Sequence, residues 1–325
     1  MKTFLKLGIA ALLIIWMAYS GRLDLRAIAH ASSQWPRLGF IASVFYLLIF
    51  ILALRWRILA GALGFHLSRK DSFSLTMIGM LFNTVIPGSV GGDVLKAYYA
   101  AGGSADRTGP IASIIADRVV GLFSLILLAV IGAAWNFEHL SRHADLRAFW
   151  LMLAAALLIA AIFGMLAIAA SDRLMSLLAP LRIYPPVRTI ILKMLSVLSA
   201  YNRKRMALLQ ALALSLPCHL LACAMFYLCV SAVSDSTLNP RLLLFLVPLG
   251  LVTTAVPLAP GGIGVGQAAF YALFHLVLRG QGALGSSAFT IYQLVLLLVS
   301  LSGIFFYLRY RGIAAVQHAA TGGDS

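Results

Sequence analysis

An all-α, polytopic membrane protein is the fold this sequence predicts, with about six full spans and two inverted re-entrant helical hairpins. Three observations lead there. Hydrophobic residues make up 62% of the chain and charged residues 11%, whereas soluble domains carry about 25% charged residues. Several apolar runs approach or exceed the roughly 20 residues a helix needs to cross a bilayer core. Two further apolar segments are broken by one shared device, a proline followed by three residues and a Gly-Gly pair: Pro87 with Gly91 and Gly92, and Pro257 with Gly261 and Gly262.

Taken in order, the first span is read near 4–20, and residues 1–20, with Lys2 and Lys6, an apolar stretch and then Ala18-Tyr19-Ser20 before Gly21, imitate a signal peptide. An uncleaved first span is the expected use of such a segment in a multi-spanning protein. Spans follow at 38–54, 111–134, 148–170, 207–233 and 284–308, with the broken segments at 73–100 and 241–278. Proline removes a backbone donor and clashes with the preceding turn, and glycine weakens a helix, so each device breaks one. Aligning the prolines also aligns Thr84 with Thr254. Residues 183–203 open with Tyr184-Pro185-Pro186 and repeat apolar residues at helical spacing. They read either as a helix in the membrane interface or as an amphipathic connector. Residues 1–315 form one domain, and 316–325 a polar tail. Cys218, Cys223 and Cys229 lie within one span without metal-ligand spacing and read as small apolar packing.

The formal charge is +15. Its distribution argues for membrane topology and against nucleic acid, because basic residues concentrate in loops beside spans, where they mark the cytoplasmic side. Lys2 and Lys6 place the N-terminus inside. Arg55, Arg57, Arg69 and Lys70 mark the next inside loop, the cluster from Arg173 to Arg205 another, and Arg309 with Arg311 the C-terminal side. These assignments agree only if each broken segment enters and leaves on one face, the first from the cytoplasm and the second from outside. The alternative, full crossing by both, reverses the side of the middle cluster. Opposed hairpins meeting near the midplane follow the inverted-repeat logic of secondary transporters.

Charges inside a membrane are expensive and default to functional candidates. Asp93 and Lys96 follow the first Gly-Gly and share a helix face. Asp117 and Arg118 are adjacent, so they point about 100° apart and reach for different partners. Arg118 or Lys96 can face a buried anion with Asp93 or Asp117 as counter-charge. Alternatively, Asp93 caps the restarted helix and the others form structural ion pairs. A helix restarting after Gly-Gly offers unpaired N–H groups and a positive dipole end to an anion. Ser89 and Thr254 add hydroxyls near the two breaks. Asn83 and Gln293 are amides in apolar runs that read as helix bridges, while Gln267 follows the second break closely enough to be a site candidate. His219 and His275 read as hydrogen-bonded bundle residues.

The sequence has no phosphate-binding Gly-x-x-x-x-Gly-Lys-Ser/Thr loop, no His-Glu-x-x-His zinc motif and no Gly-x-Ser-x-Gly elbow. Its sole glutamate, Glu138, lies in an expected external loop. An enzyme is therefore not expected, nor transport powered by hydrolysis within the chain, nor a cofactor or metal.

Asn83-Thr84-Val85-Ile86-Pro87 with Gly91-Gly92-Asp93 and Lys96, Ala116-Asp117-Arg118-Val119-Val120-Gly121, and Val256-Pro257 with Pro260-Gly261-Gly262-Ile263-Gly264-Val265 together resemble the lysylphosphatidylglycerol synthase transmembrane-region family, also called flippase-like domain proteins. The resemblance covers residues 5 to 310. It implies a bacterial inner-membrane protein that moves or handles a lipid, and not the synthase, whose transferase domain would follow the last span. The sequence departs from the family pattern at Gln267, usually Glu, at Gln293, usually Arg, and at Lys96, often Arg. The expected function is a flippase for a polar, phosphate-bearing lipid with an anionic or zwitterionic headgroup. The other expectation is a non-transporting accessory protein that binds a lipid or a lipid-modifying enzyme. The expected substrate-binding residues are Asn83, Pro87, Ser89, Gly91, Gly92, Asp93, Lys96, Asp117, Arg118, Thr254, Pro257, Gly261, Gly262, Gln267 and Gln293.

Overall fold

A computed structural model describes residues 17–22, 24–85, 91–101, 108–136, 144–178, 185–234, 238–254, 262–278 and 280–310, which are helical with no strand among them. Their helices are α1 (Leu25–Ser33), α2 (Trp35–Ala62), α3 (Arg69–Val85), α4 (Gly91–Ala100), α5 (Thr108–Trp135), α6 (Ala144–Leu178), α7 (Pro185–Arg203), α8 (Arg205–Val233), α9 (Pro240–Thr254), α10 (Val265–Val277) and α11 (Gly282–Leu301). A further helical stretch at 303–310 continues α11. Five of the described helices are long and apolar enough to cross a membrane: Trp35–Ala62, Thr108–Trp135, Trp150–Leu177, Arg205–Val233 and Gly282–Tyr310. The expected first span falls almost wholly outside the described residues.

Local chemistry accounts for the boundaries. Asp24 caps α1, its carboxylate accepting the N–H groups of Arg26 and Ala27, both at 3.0 Å. Pro36 stands in the first turn of α2, where a missing N–H costs no helical bond. The two broken segments each become a pair of short helices. α3 and α4 have 17 and 10 residues, and α9 and α10 have 15 and 13. All four fall short of the roughly 20 residues of a full crossing.

The expected span 38–54 is too short. α2 runs on to Ala62, and Arg55, read from the sequence as part of an inside loop, lies within the helix and is buried. It is tolerated because it finds a carboxylate inside the bundle.

The connections group the helix ends. At one end, Tyr201 donates to the carbonyl of Leu59 at 3.2 Å and Arg57 to that of Leu67 at 2.7 Å. Trp56 reaches Ser113 near the start of α5, and Tyr99, closing α4, meets Tyr310 with ring centres 5.6 Å apart. At the other end, Arg37 donates to Ser231 at 2.8 Å, the Asp24 N–H to Ser287 at 3.0 Å, and Asn136 to the carbonyl of Arg241 at 2.9 Å. The start of α3 and the end of α4 thus belong to the first group. The start of α9 and the end of α10 belong to the second.

The core joins α2, α8, α10 and α11. Phe270 stacks between Phe226 and Phe289 at 4.6 and 4.7 Å, and Phe45 meets Tyr292 at 4.9 Å. Where backbones cross, small residues permit the approach. A Cβ on Gly132 of α5 would stand 2.4 Å from the carbonyl oxygen of Leu244 in α9. By contrast, α6 packs on α5 and α7, with Trp150 donating to the carbonyl of Val130 at 3.2 Å, and its apolar stretch has no buried residue in its most hydrophobic window. That face suits contact with acyl chains.

Candidate functional site

The first break builds most of the polar centre. α3 and α4 touch where a Cβ on Gly92 would fall 1.8 Å from the carbonyl oxygen of Gly79, so no side chain fits there. The Asn83 side-chain carbonyl accepts the Gly92 N–H at 2.9 Å, capping one of the free donors at the start of α4. Asn83 therefore bridges the two helices, as expected from its place in an apolar run. Gly91 opens α4 beside it. Pro87 and Ser89 lie outside the described residues.

Asp93 does not serve as that cap. Its carboxylate takes the Arg118 guanidinium, with Nε and Nη2 at 3.0 and 2.9 Å from Oδ2. Adjacent Asp117 reaches a different helix. Its two oxygens accept from Arg55 Nε and Nη2 at 2.7 and 3.1 Å, and Arg55 Nη1 donates to Ser215 Oγ at 2.9 Å. Gly121 leaves room for this guanidinium, since a Cβ there would stand 3.1 Å from Arg55 Nη2. One turn beyond Ser215, the His219 ring Nε2 lies 2.9 Å from Ser124 Oγ. A polar seam therefore continues between α5 and α8.

Lys96 completes the cluster. It is 7% exposed, and its Nζ sits 3.8 Å above the ring of Trp56, whose own N–H is held by Ser113 at 3.1 Å. The ring face attracts the ammonium. Among the described residues Lys96 forms no ion pair, because Asp93 and Asp117 are already taken by the two arginines. With all five groups ionised, three cations and two carboxylates leave this region one positive charge in excess.

Arg118 differs from the buried Arg55. Its side chain is 57% exposed, among the exposed apolar residues Val94, Ile115, Val119 and Leu122. It stands ten residues into the 28-residue α5, about 15 Å along the axis from its start, within a helix long and apolar enough to cross a membrane. An ion pair at that position on an otherwise lipid-like face is unusual and defaults to function.

The described residues beside the second break are uncharged and bond one another. Gly262 and Gly264 have φ of 73° and 82°, the left-handed region that glycine adopts without strain. The Gly264 N–H donates to Gln267 Oε1 at 2.7 Å, and Gln267 Nε2 donates to Gln293 Oε1 at 2.8 Å, tying α10 to α11. Thr254 bonds its own helix at the carbonyl of Leu251 and packs against Gly262. Pro257 and Gly261 lie outside the described residues. The expected site residues thus separate into two groups, Asn83 to Arg118 around α4 and α5, and Thr254 to Gln293 around α10 and α11.

Sequence reasoning missed Arg55, Trp56 and Ser215. One signal for Arg55 was available, the apolar residues that continue beyond it from Ile58 to Leu63.

A family model described as the lysylphosphatidylglycerol synthase TM region matches residues 3–316. No curated protein and no solved structure matches the chain. The match spans every described helix and accords with a multi-pass membrane protein of lipid-related function.

Proposed function

We propose that this chain, which belongs to the lysylphosphatidylglycerol synthase TM region family, moves a polar, phosphate-bearing lipid between the leaflets of the bacterial inner membrane, without catalysing a reaction. The observation that carries this reading is the excess cation at α4 and α5, where buried Lys96 forms no ion pair among the described residues and Arg118 opens onto an apolar face. Taking a phosphate across bare hydrocarbon buries a charge at high cost. A guanidinium and an ammonium within the membrane-spanning bundle lower that barrier while the acyl chains stay in lipid. The four short helices support a pair of opposed re-entrant hairpins, α3–α4 from the cytoplasm and α9–α10 from outside, with both chain termini cytoplasmic. Rocking of the hairpins would then alternate access to the site.

A leaflet-accessibility assay in proteoliposomes tests the reading. The wild type should translocate an anionic or zwitterionic phospholipid faster than empty vesicles. Arg118→Ala and Lys96→Ala should each slow it by about tenfold, as expected for losing one charged hydrogen bond. Rates equal to empty vesicles for every phosphate lipid tried, in the wild type and in both variants, would sink it.

A further inference from the structure

We propose that the groove between α8 and α9 is a separate binding site for an anionic glycerophospholipid, with one acyl chain in the groove and the phosphate at Arg241. The groove encloses about 430 Å³ and is lined by Leu220, Ala224 and Leu228 of α8 and by Leu244 and Arg241 of α9. That volume falls within the roughly 300–1,000 Å³ of small-molecule sites. Its lining is apolar along most of its length, and Leu220 and Ala224 are exposed at its side, so it opens toward the hydrocarbon. An apolar lining with nothing against it among the described residues forfeits dispersion contacts, and in a membrane the available filler is an acyl chain.

An acyl chain alone gains little there, because lipid tails are as apolar as leucine. What makes the groove selective is the charge at its end. Arg241 is exposed in the first turn of α9, where the helix dipole adds positive potential. Its guanidinium lies 5.7 Å from the centre of the Trp135 ring, and it forms no ion pair among the described residues. Asn136 holds the Arg241 carbonyl at 2.9 Å and Asn239 holds its N–H at 3.0 Å, which fixes the backbone under the side chain. An exposed tryptophan at a helix end marks the headgroup level. An arginine held at that level above an acyl-sized groove matches a phosphodiester bidentately. The site lies on α8 and α9, apart from the Lys96 and Arg118 cluster on α4 and α5.

Photocrosslinking on the full-length protein in nanodiscs decides the matter, using phosphatidylglycerol or phosphatidylcholine with a photoactivatable acyl chain. Adducts on peptides containing residues 220–228 should exceed those from phosphatidylcholine by about fivefold, the contribution of one arginine at an anionic surface. Arg241→Gln should bring phosphatidylglycerol down to the phosphatidylcholine level. Ala224→Trp should remove both by filling the groove. If Ala224→Trp does not purify as a monodisperse species, Arg241→Gln decides alone, since it changes an exposed side chain. Equal labelling by the two lipids in the wild type would identify ordinary annular lipid and overturn the proposal, as would an unchanged preference in Arg241→Gln. The readout is occupancy, so it stands or falls independently of lipid translocation.

Discussion

At the scale of single residues, the two ion pairs have opposite surroundings and should have opposite weights in stability. Arg55 and Asp117 have side chains 6% and 13% exposed and are forked together in the bundle. Removing one partner of such a pair leaves a buried charge and costs about 3–5 kcal/mol. Asp117→Ala should therefore strongly lower the apparent Tm in detergent. The double variant Arg55→Met with Asp117→Leu should recover most of the loss, because a well-packed apolar pair can replace a buried ionic one. Asp93→Ala leaves the Arg118 guanidinium unpaired at the outer face of the bundle rather than inside it, and because so long a side chain can snorkel toward the interface the loss should be smaller than at Asp117. A large loss there with little loss at Asp117 would mean that the two pairs have been given the wrong roles. The polar cluster was only partly legible in the sequence. Asp93, Lys96, Asp117 and Arg118 stand out as charges in apolar runs, but Arg55 reads as a loop marker because its partner lies 62 residues away. The cost of a buried charge is decided by that distant partner, which periodicity does not reveal.

At the scale of elements, the breaks were legible because proline and glycine act on the backbone itself, within a few residues. The closeness of the packing was not, and one asymmetry tests it. At the α3–α4 crossing, a Cβ on Gly92 would be 1.8 Å from a carbonyl oxygen, whereas one on Gly79 meets its nearest neighbour at 3.5 Å. Gly92→Ala must push the helices apart and should cost at least the roughly 1–3 kcal/mol of an overpacked core. Gly79→Ala makes ordinary contacts with Gly92 and Lys96 of α4 and gains helix propensity, worth up to about 1 kcal/mol. The expected order of apparent Tm is thus Gly79→Ala at or above wild type and Gly92→Ala well below it. Equal effects would show that the two helices do not cross at this point. The second break shows the same local legibility, with positive φ at Gly262 and Gly264. The bond between Gln267 and Gln293 joins elements 26 residues apart. Each amide taken alone indicates only a need for some partner.

At the scale of the whole molecule, charge distribution and helix ends bear on the same question from independent directions. The loop charges require each broken segment to return to the face it came from, since positive residues mark one side. The contacts group the start of α3 and the end of α4 with the ends of α2 and α11, and the start of α9 and the end of α10 with the ends of α5 and α8. The expected side is therefore the cytoplasm for Lys70 and Ser104, and the outside for Asn239 and Gln281. Single cysteines at these four positions, labelled in intact cells with a membrane-impermeant thiol reagent, would read this directly. The native cysteines give a quiet background, because Cys218, Cys223 and Cys229 are all buried. Two full crossings instead would put Lys70 and Ser104 on opposite sides, and likewise Asn239 and Gln281. The expected pattern is labelling from outside at Asn239→Cys and Gln281→Cys, with Lys70→Cys and Ser104→Cys reacting only after permeabilisation. Labelling of Ser104→Cys but not Lys70→Cys in intact cells would replace the first hairpin by a crossing, and with it the opposed geometry from which alternating access is argued.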